Sequence, residues 1–166
     1  MIKKLVYCSL LASVAVLISS LERFVPLNSV IPLPGLKLGL ANCIILLTLI
    51  KMDFKSAFSV FVCKCFIVAL LFSGFSSFIY SFVGGLFSIT GMFLLLRFKK
   101  FFSLIGVSIC GAALFNFGQI LASSLMLGSV YVFSYLPLLV ISSVFTGAVI
   151  GIIADILNRN INFRWF

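Results

Sequence analysis

The chain has 166 residues, of which 63% are apolar and 9% charged, with a net charge of +9. An ordinary soluble domain carries about 25% charged residues, and a soluble fold of this size leaves too much surface wet to hide so many apolar side chains. The solvent for most of the chain is therefore lipid, which excludes a soluble enzyme, a secreted disulfide scaffold and a disordered tail. In a soluble protein a pI near 9.7 would point to nucleic acid. Here the cations stand between apolar runs, where they orient a membrane protein, and nucleic acid is not an expected partner.

Lys3 and Lys4 precede an apolar run from Leu5 to Leu21, closed by Glu22-Arg23. The basic start resembles a signal peptide, but the run is long and the rest of the chain is as apolar, so it reads as a retained first span over 5–21. Residues 24–35 hold Pro26, Pro32, Pro34 and Gly35, which forbid a regular helix. This apolar, non-helical stretch is expected to be a tucked-in or re-entrant outer loop.

A short second span follows over 36–50, then the charged turn Lys51 to Lys55. The third span, 56–72, carries Lys64 near its centre, and Ser73-Gly74 turns the chain into a fourth span over 77–96. Arg97, Lys99 and Lys100 end it. The fifth span covers 102–127 and the sixth 133–157, the latter containing Pro137, with Arg159 and Arg164 beyond. Six spans of about 20 residues leave about 46 of the 166 residues for ends and loops, too few for a soluble catalytic domain.

The cations test this division. With an inside N-terminus, Lys3, Lys4, Lys51, Lys55, Arg97, Lys99, Lys100, Arg159 and Arg164 all lie inside, nine of the 12. Arg23 and Lys37 lie outside and Lys64 lies within a span. The expectation is a single all-α, polytopic membrane domain of six helices, with both termini inside and a multi-pass location in a bacterial cytoplasmic membrane.

So few charges make each intramembrane polar group informative. Lys64 costs about 2.5–3.5 kcal/mol at a helix centre on insertion scales. Two roles are open to it: a structural one, snorkelling or pairing with Glu22, and a functional one, facing a ligand cavity. Glu22, Arg23 and Lys37 stand at the outer ends of the first two spans, where plain interfacial anchoring is the alternative. Asn42 lies one turn into the second span. Asn116 and Gln119, three apart, share a face of the fifth. Each amide alone is accounted for by interhelical hydrogen bonding. Together these groups are expected to converge toward the outer half, as a solute cavity open to that side requires.

Small residues mark close helix contacts. Ser143, Gly147, Gly151 and Asp155 recur every fourth position on the last span, Ser9/Ser13 and Ala15/Ser19 on the first, and Gly84-Gly85 and Gly91 on the fourth. Packing within the bundle and docking of a partner subunit both use such faces. Other chemistry is missing. Histidine is absent, the five cysteines form no CxxC, and no P-loop motif occurs. Asp53, Asp155 and Glu22 are too scattered for magnesium–diphosphate chemistry. No metal and no cofactor is expected, and the chain reads as noncatalytic.

Residues 21–42, LERFVPLNSVIPLPGLKLGLAN, resemble the first signature of the Gx transporter family, also described as heptaprenyl diphosphate synthase component I. Residues 103–123, SLIGVSICGAALFNFGQILAS, resemble its Asn-x-x-Gln signature, and 135–154, YLPLLVISSVFTGAVIGIIA, its last helix. Lys64 departs from the pattern, where arginine would stand; lysine keeps the charge without bidentate recognition. The family is similar to the S-components of energy-coupling-factor (ECF) transporters, six-helix proteins that bind a vitamin-like solute from outside. They dock onto a coupling subunit and two ATPases through small residues on the first helix. That resemblance implies a solute site at Glu22, Arg23, Lys37, Asn42, Lys64, Asn116 and Gln119, and a docking face at Ser9, Ser13 and Ala15. The enzyme description implies instead a noncatalytic membrane partner of a polyprenyl diphosphate synthase.

Overall fold

The computed structural model describes residues 2–22, 39–98 and 102–160. Regular structure among the described residues is helical: α1 (Ile2–Leu21), α2 (Asn42–Lys51), α3 (Phe54–Val68), α4 (Gly74–Arg97), α5 (Leu104–Leu127) and α6 (Leu136–Asn160). A π-helical turn, Ala69–Ser73, joins α3 to α4, and a 3-10 turn, Val130–Tyr135, leads into α6. Five helices are long and apolar enough to cross a membrane. The chain is thus a multi-pass membrane protein by the length and composition of its helices. α2 has 10 residues; at 1.5 Å per residue it extends about 15 Å, half of a bilayer's apolar core. It starts at Asn42, later than the expected residue 36. Residues 36–38 and the expected outer loop 24–35 lie outside the described residues.

Local chemistry sets the helix limits. Ser103 caps α5, its hydroxyl accepting from the Gly106 N–H at 3.1 Å. Gly128, at φ +62°, ends the same helix in the left-handed conformation that glycine adopts without strain. Pro137, expected inside the last span, falls in the first turn of α6, where its missing N–H leaves no hydrogen bond unmade.

Side-chain contacts fix the helix directions. α3 and α4 form an antiparallel hairpin in which Phe54 meets Phe93 at 4.7 Å and Phe61 meets Phe82 at 5.5 Å between ring centroids. α4 packs antiparallel on α5 through Gly84 and Gly118, and α5 on α6 through Ile109 and Gly147. α2 runs parallel to α6: the Cys43 thiol approaches the Ile150 carbonyl at 3.8 Å and the Lys51 ammonium donates to that of Asn158 at 2.8 Å. Lys4 of α1 pairs with Asp53, just before α3, at 2.7 Å. Directions therefore alternate along the chain. Lys3, Lys4, Lys51, Lys55, Arg97 and Arg159 gather at one end of the bundle, hereafter the basic end.

α2 is the pillar of the molecule. Residues Asn42 to Leu49 are all buried, as befits a helix that is apolar all round. The core joins its Ile45 and Leu46 to Phe61, Ile89, Met92, Val107 and Ile150. α1 is the least covered helix; Ala12, Ala15 and Ser19 are its buried residues, while Leu5, Leu10, Leu17 and Leu21 face outward.

Candidate functional site

The small residues of α4, α5 and α6 explain how polar groups come to be enclosed. A Cβ added at Gly84 would stand 2.7 Å from the Phe115 carbonyl oxygen and 3.0 Å from Gln119 Cγ. One added at Gly118 would stand 2.8 Å from the Gly84 Cα. Two backbones thus approach where a side chain would separate them, and Gln119 is drawn fully inside. The Ser143, Gly147 and Gly151 face is spent in the same way: Gly147 lies on Ile109 and Gly151 on Ile105 of α5, so that stripe packs within the bundle.

The entrance to α2 organises the rest. Gly39 has φ +81°, and a Cβ there would meet Asn42 Nδ2 and the Phe115 ring at 3.1 Å. That turn lets the Leu40 N–H donate to the Glu22 carboxylate, which links the end of α1 to the start of α2. Asn42 is buried and its Nδ2 donates to the Ser88 hydroxyl on α4 at 3.4 Å. Its Oδ1 has no hydrogen-bond partner among the described residues, nor do the hydroxyls of Ser19, Ser77 and Ser108. Unpaired buried polar atoms are rare, because each forfeits its hydration.

The expected site residues divide as follows. Glu22, Asn42 and Gln119 belong to one neighbourhood, joined through Leu40, Gly39, Phe115 and Gly84. Asn116 is buried beside them, but its Nδ2 donates to the Leu139 carbonyl at 2.9 Å and so ties α5 to α6. Lys64 is 3% exposed on α3, adjacent to Cys65, whose sulfur lies 3.9 Å from the Ser81 hydroxyl. It makes no ion pair or hydrogen bond among the described residues, so the pairing with Glu22 does not form. Arg23 and Lys37 lie outside the described residues. By helical rise Asn42 and Lys64 each lie about 15 Å from the basic end, near mid-depth, with Asn116 and Gln119 beyond them.

The small residues expected as a docking face lie on two sides of α1. Ser9 and Ser13 are exposed, but Ala15 is fully buried, because the inward side of α1 repeats Ala12, Ala15 and Ser19 at helical spacing. An exposed docking face on α1 therefore excludes Ala15. Ser77, Ser81 and Ser88 join the enclosed polar groups without standing out in the sequence. All are buried, and their spacing of four and seven places them on one face of α4. That periodicity was the available signal.

Among the described residues no three His, Cys, Asp or Glu side chains gather as metal ligands do. Outside the membrane-spanning helices, the hydrogen bond from Lys4 holds the Asp53 carboxyl below its usual range. The class defined by this architecture is a polytopic helical membrane protein with a buried layer of amides, hydroxyls and one lysine. Within that class the chain belongs to the heptaprenyl diphosphate synthase component I family, whose sequence model matches residues 11–157. No curated protein and no solved structure matches the chain.

Proposed function

We propose that the chain is the solute-binding membrane subunit of a transporter, comparable to an ECF S-component, and that it captures a small anionic, vitamin-like solute from the side opposite its basic end. The observation that carries this reading is Lys64, a buried cation without a partner anion among the described residues. A cation in that setting costs about 2.5–3.5 kcal/mol on insertion scales, and a bound anion offsets much of that cost. Asn42 and Gln119 would orient the ligand, with Glu22, Asn116, Arg23 and Lys37 completing the binding set. ATP would be hydrolysed by separate coupling subunits, met through the exposed Ser9 and Ser13 side of α1. The chain itself is noncatalytic and resides in a bacterial cytoplasmic membrane, with the basic end inside.

A second reading follows the family description: a noncatalytic membrane partner of a polyprenyl diphosphate synthase. It requires the important contacts to lie at the basic end, on the synthase side. A thermal-shift screen of the purified full chain against anionic, vitamin-like solutes separates the two. A ligand at about 100 times its Kd adds about 2.7 kcal/mol of stability. We expect such a shift in the wild type and its loss in Lys64→Met and Asn42→Leu. A shift that survives both substitutions would overturn the assignment of the site. Stabilisation by a synthase alone would favour the second reading.

A further inference from the structure

Away from the polar layer, α1 and α3 diverge around a groove of about 700 Å³. Leu5, Cys8, Ser9 and Ala12 line it from α1, and Ser56, Ser59, Val60 and Cys63 from α3. Both sets follow one helical face, and small side chains leave the space open. Its hydroxyls are already engaged: Ser9 donates to the Val6 carbonyl at 2.8 Å, Ser59 to that of Lys55 at 2.9 Å, and Ser56 to the Asp53 carboxylate at 3.2 Å. The walls therefore present hydrocarbon and thiol rather than hydrogen-bonding groups. Charge occurs at one end only, where Lys4, Asp53 and Lys55 form the mouth. Asp53 is paired with Lys4, and the exposed Lys55 makes no ion pair among the described residues. The mouth is thus net cationic, at the basic end of the bundle.

An apolar slot with a cationic rim at one end matches an amphiphile with an anionic head. We infer that this groove seats one membrane phospholipid of net negative headgroup charge, its phosphate at Lys55 and Lys4 and a chain lying against Ala12, Val60 and Cys63. Basic pockets between transmembrane helices on the cytoplasmic side recognise such headgroups. A partner helix could pack on the small residues of these walls, but it has no use for the cationic mouth, which an anionic headgroup matches; Ser13, outside the groove, stays open to the coupling subunit.

The test uses the full chain in nanodiscs of equimolar phosphatidylglycerol and phosphatidylcholine, released for native mass spectrometry to count retained lipids. The wild type should retain phosphatidylglycerol in preference to phosphatidylcholine. Lys55→Gln should lower that preference about fivefold, the effect expected of one lysine near an anionic headgroup. Cys63→Phe and Ser59→Phe fill the groove from exposed positions without changing charge; both should lose the retained lipid. Equal retention of the two lipids, or wild-type retention in both filled variants, would overturn the inference. So would a co-purifying membrane protein lost on filling the groove while lipid retention is unchanged. Lys55→Gln and Ser59→Phe lie away from Asn42, Ser88 and Lys64 in the chain, so solute binding in these two variants reports separately on the function proposed above.

Discussion

Lys64 carries the strongest claim at the scale of single residues. A buried charge in a structural pair is costly to break, about 3–5 kcal/mol, whereas an unpaired one is better replaced by an apolar isostere. Lys64→Met should therefore leave the melting temperature of the detergent-purified protein unchanged or raised while abolishing solute binding. A large fall in melting temperature would show that a partner had been orphaned. Asp53 makes a different case. Its carboxyl is held below the usual range by the Lys4 hydrogen bond, so the pair contributes stability above that range and loses it as pH falls through the folded value. Because both side chains are partly exposed, the contribution is less than about 1 kcal/mol. The difference in melting temperature between wild type and Asp53→Asn should close below about pH 4. Burial of Lys64 was legible from its place in an apolar run; its lack of a partner was not, because pairing depends on where α1 ends relative to α3. The burial of Ala15 was not legible for a related reason: a small residue on α1 serves inward packing as readily as docking.

At the scale of elements, close contact between α4, α5 and α6 depends on glycine. A Cβ at Gly147 would stand 2.5 Å from the Ile109 Cα, a backbone atom that can move only with its helix. Gly147→Val should cost about 1–3 kcal/mol as overpacking, read as a lower melting temperature. Gly106→Ala is the control: its added Cβ would be 3.5 Å from the Ser103 hydroxyl, an ordinary contact, and alanine favours the helix by up to about 1 kcal/mol. Five of the spans were legible to within a few residues, since apolar runs and charged turns are set by lipid. The late start of α2 was not, because the turn at Gly39 is held by the Glu22 acceptor and the Phe115 ring, both distant in sequence. The π-helical turn was likewise hidden, although its position agrees with the Ser73-Gly74 break.

Across the whole molecule, alternating helix directions bring residues 2–4, 51–55, 97–98 and 158–160 to one end. With that end inside, a reporter fused after residue 98 should be active only in its cytoplasmic form, and one fused after residue 128 only in its external form. The same activity at both positions would contradict the alternation. What a membrane protein of this size can do is then settled by its few enclosed polar groups. Asn42 and Ser88 meet inside the bundle, with Lys64 buried on α3, and the proposed solute capture rests on these groups. The most direct measurement is native mass spectrometry of the full chain extracted gently from its own membrane. We expect one small anionic solute held per chain, with its signal lost in Lys64→Met. A chain that carries no solute but emerges bound to a polyprenyl diphosphate synthase would contradict solute capture.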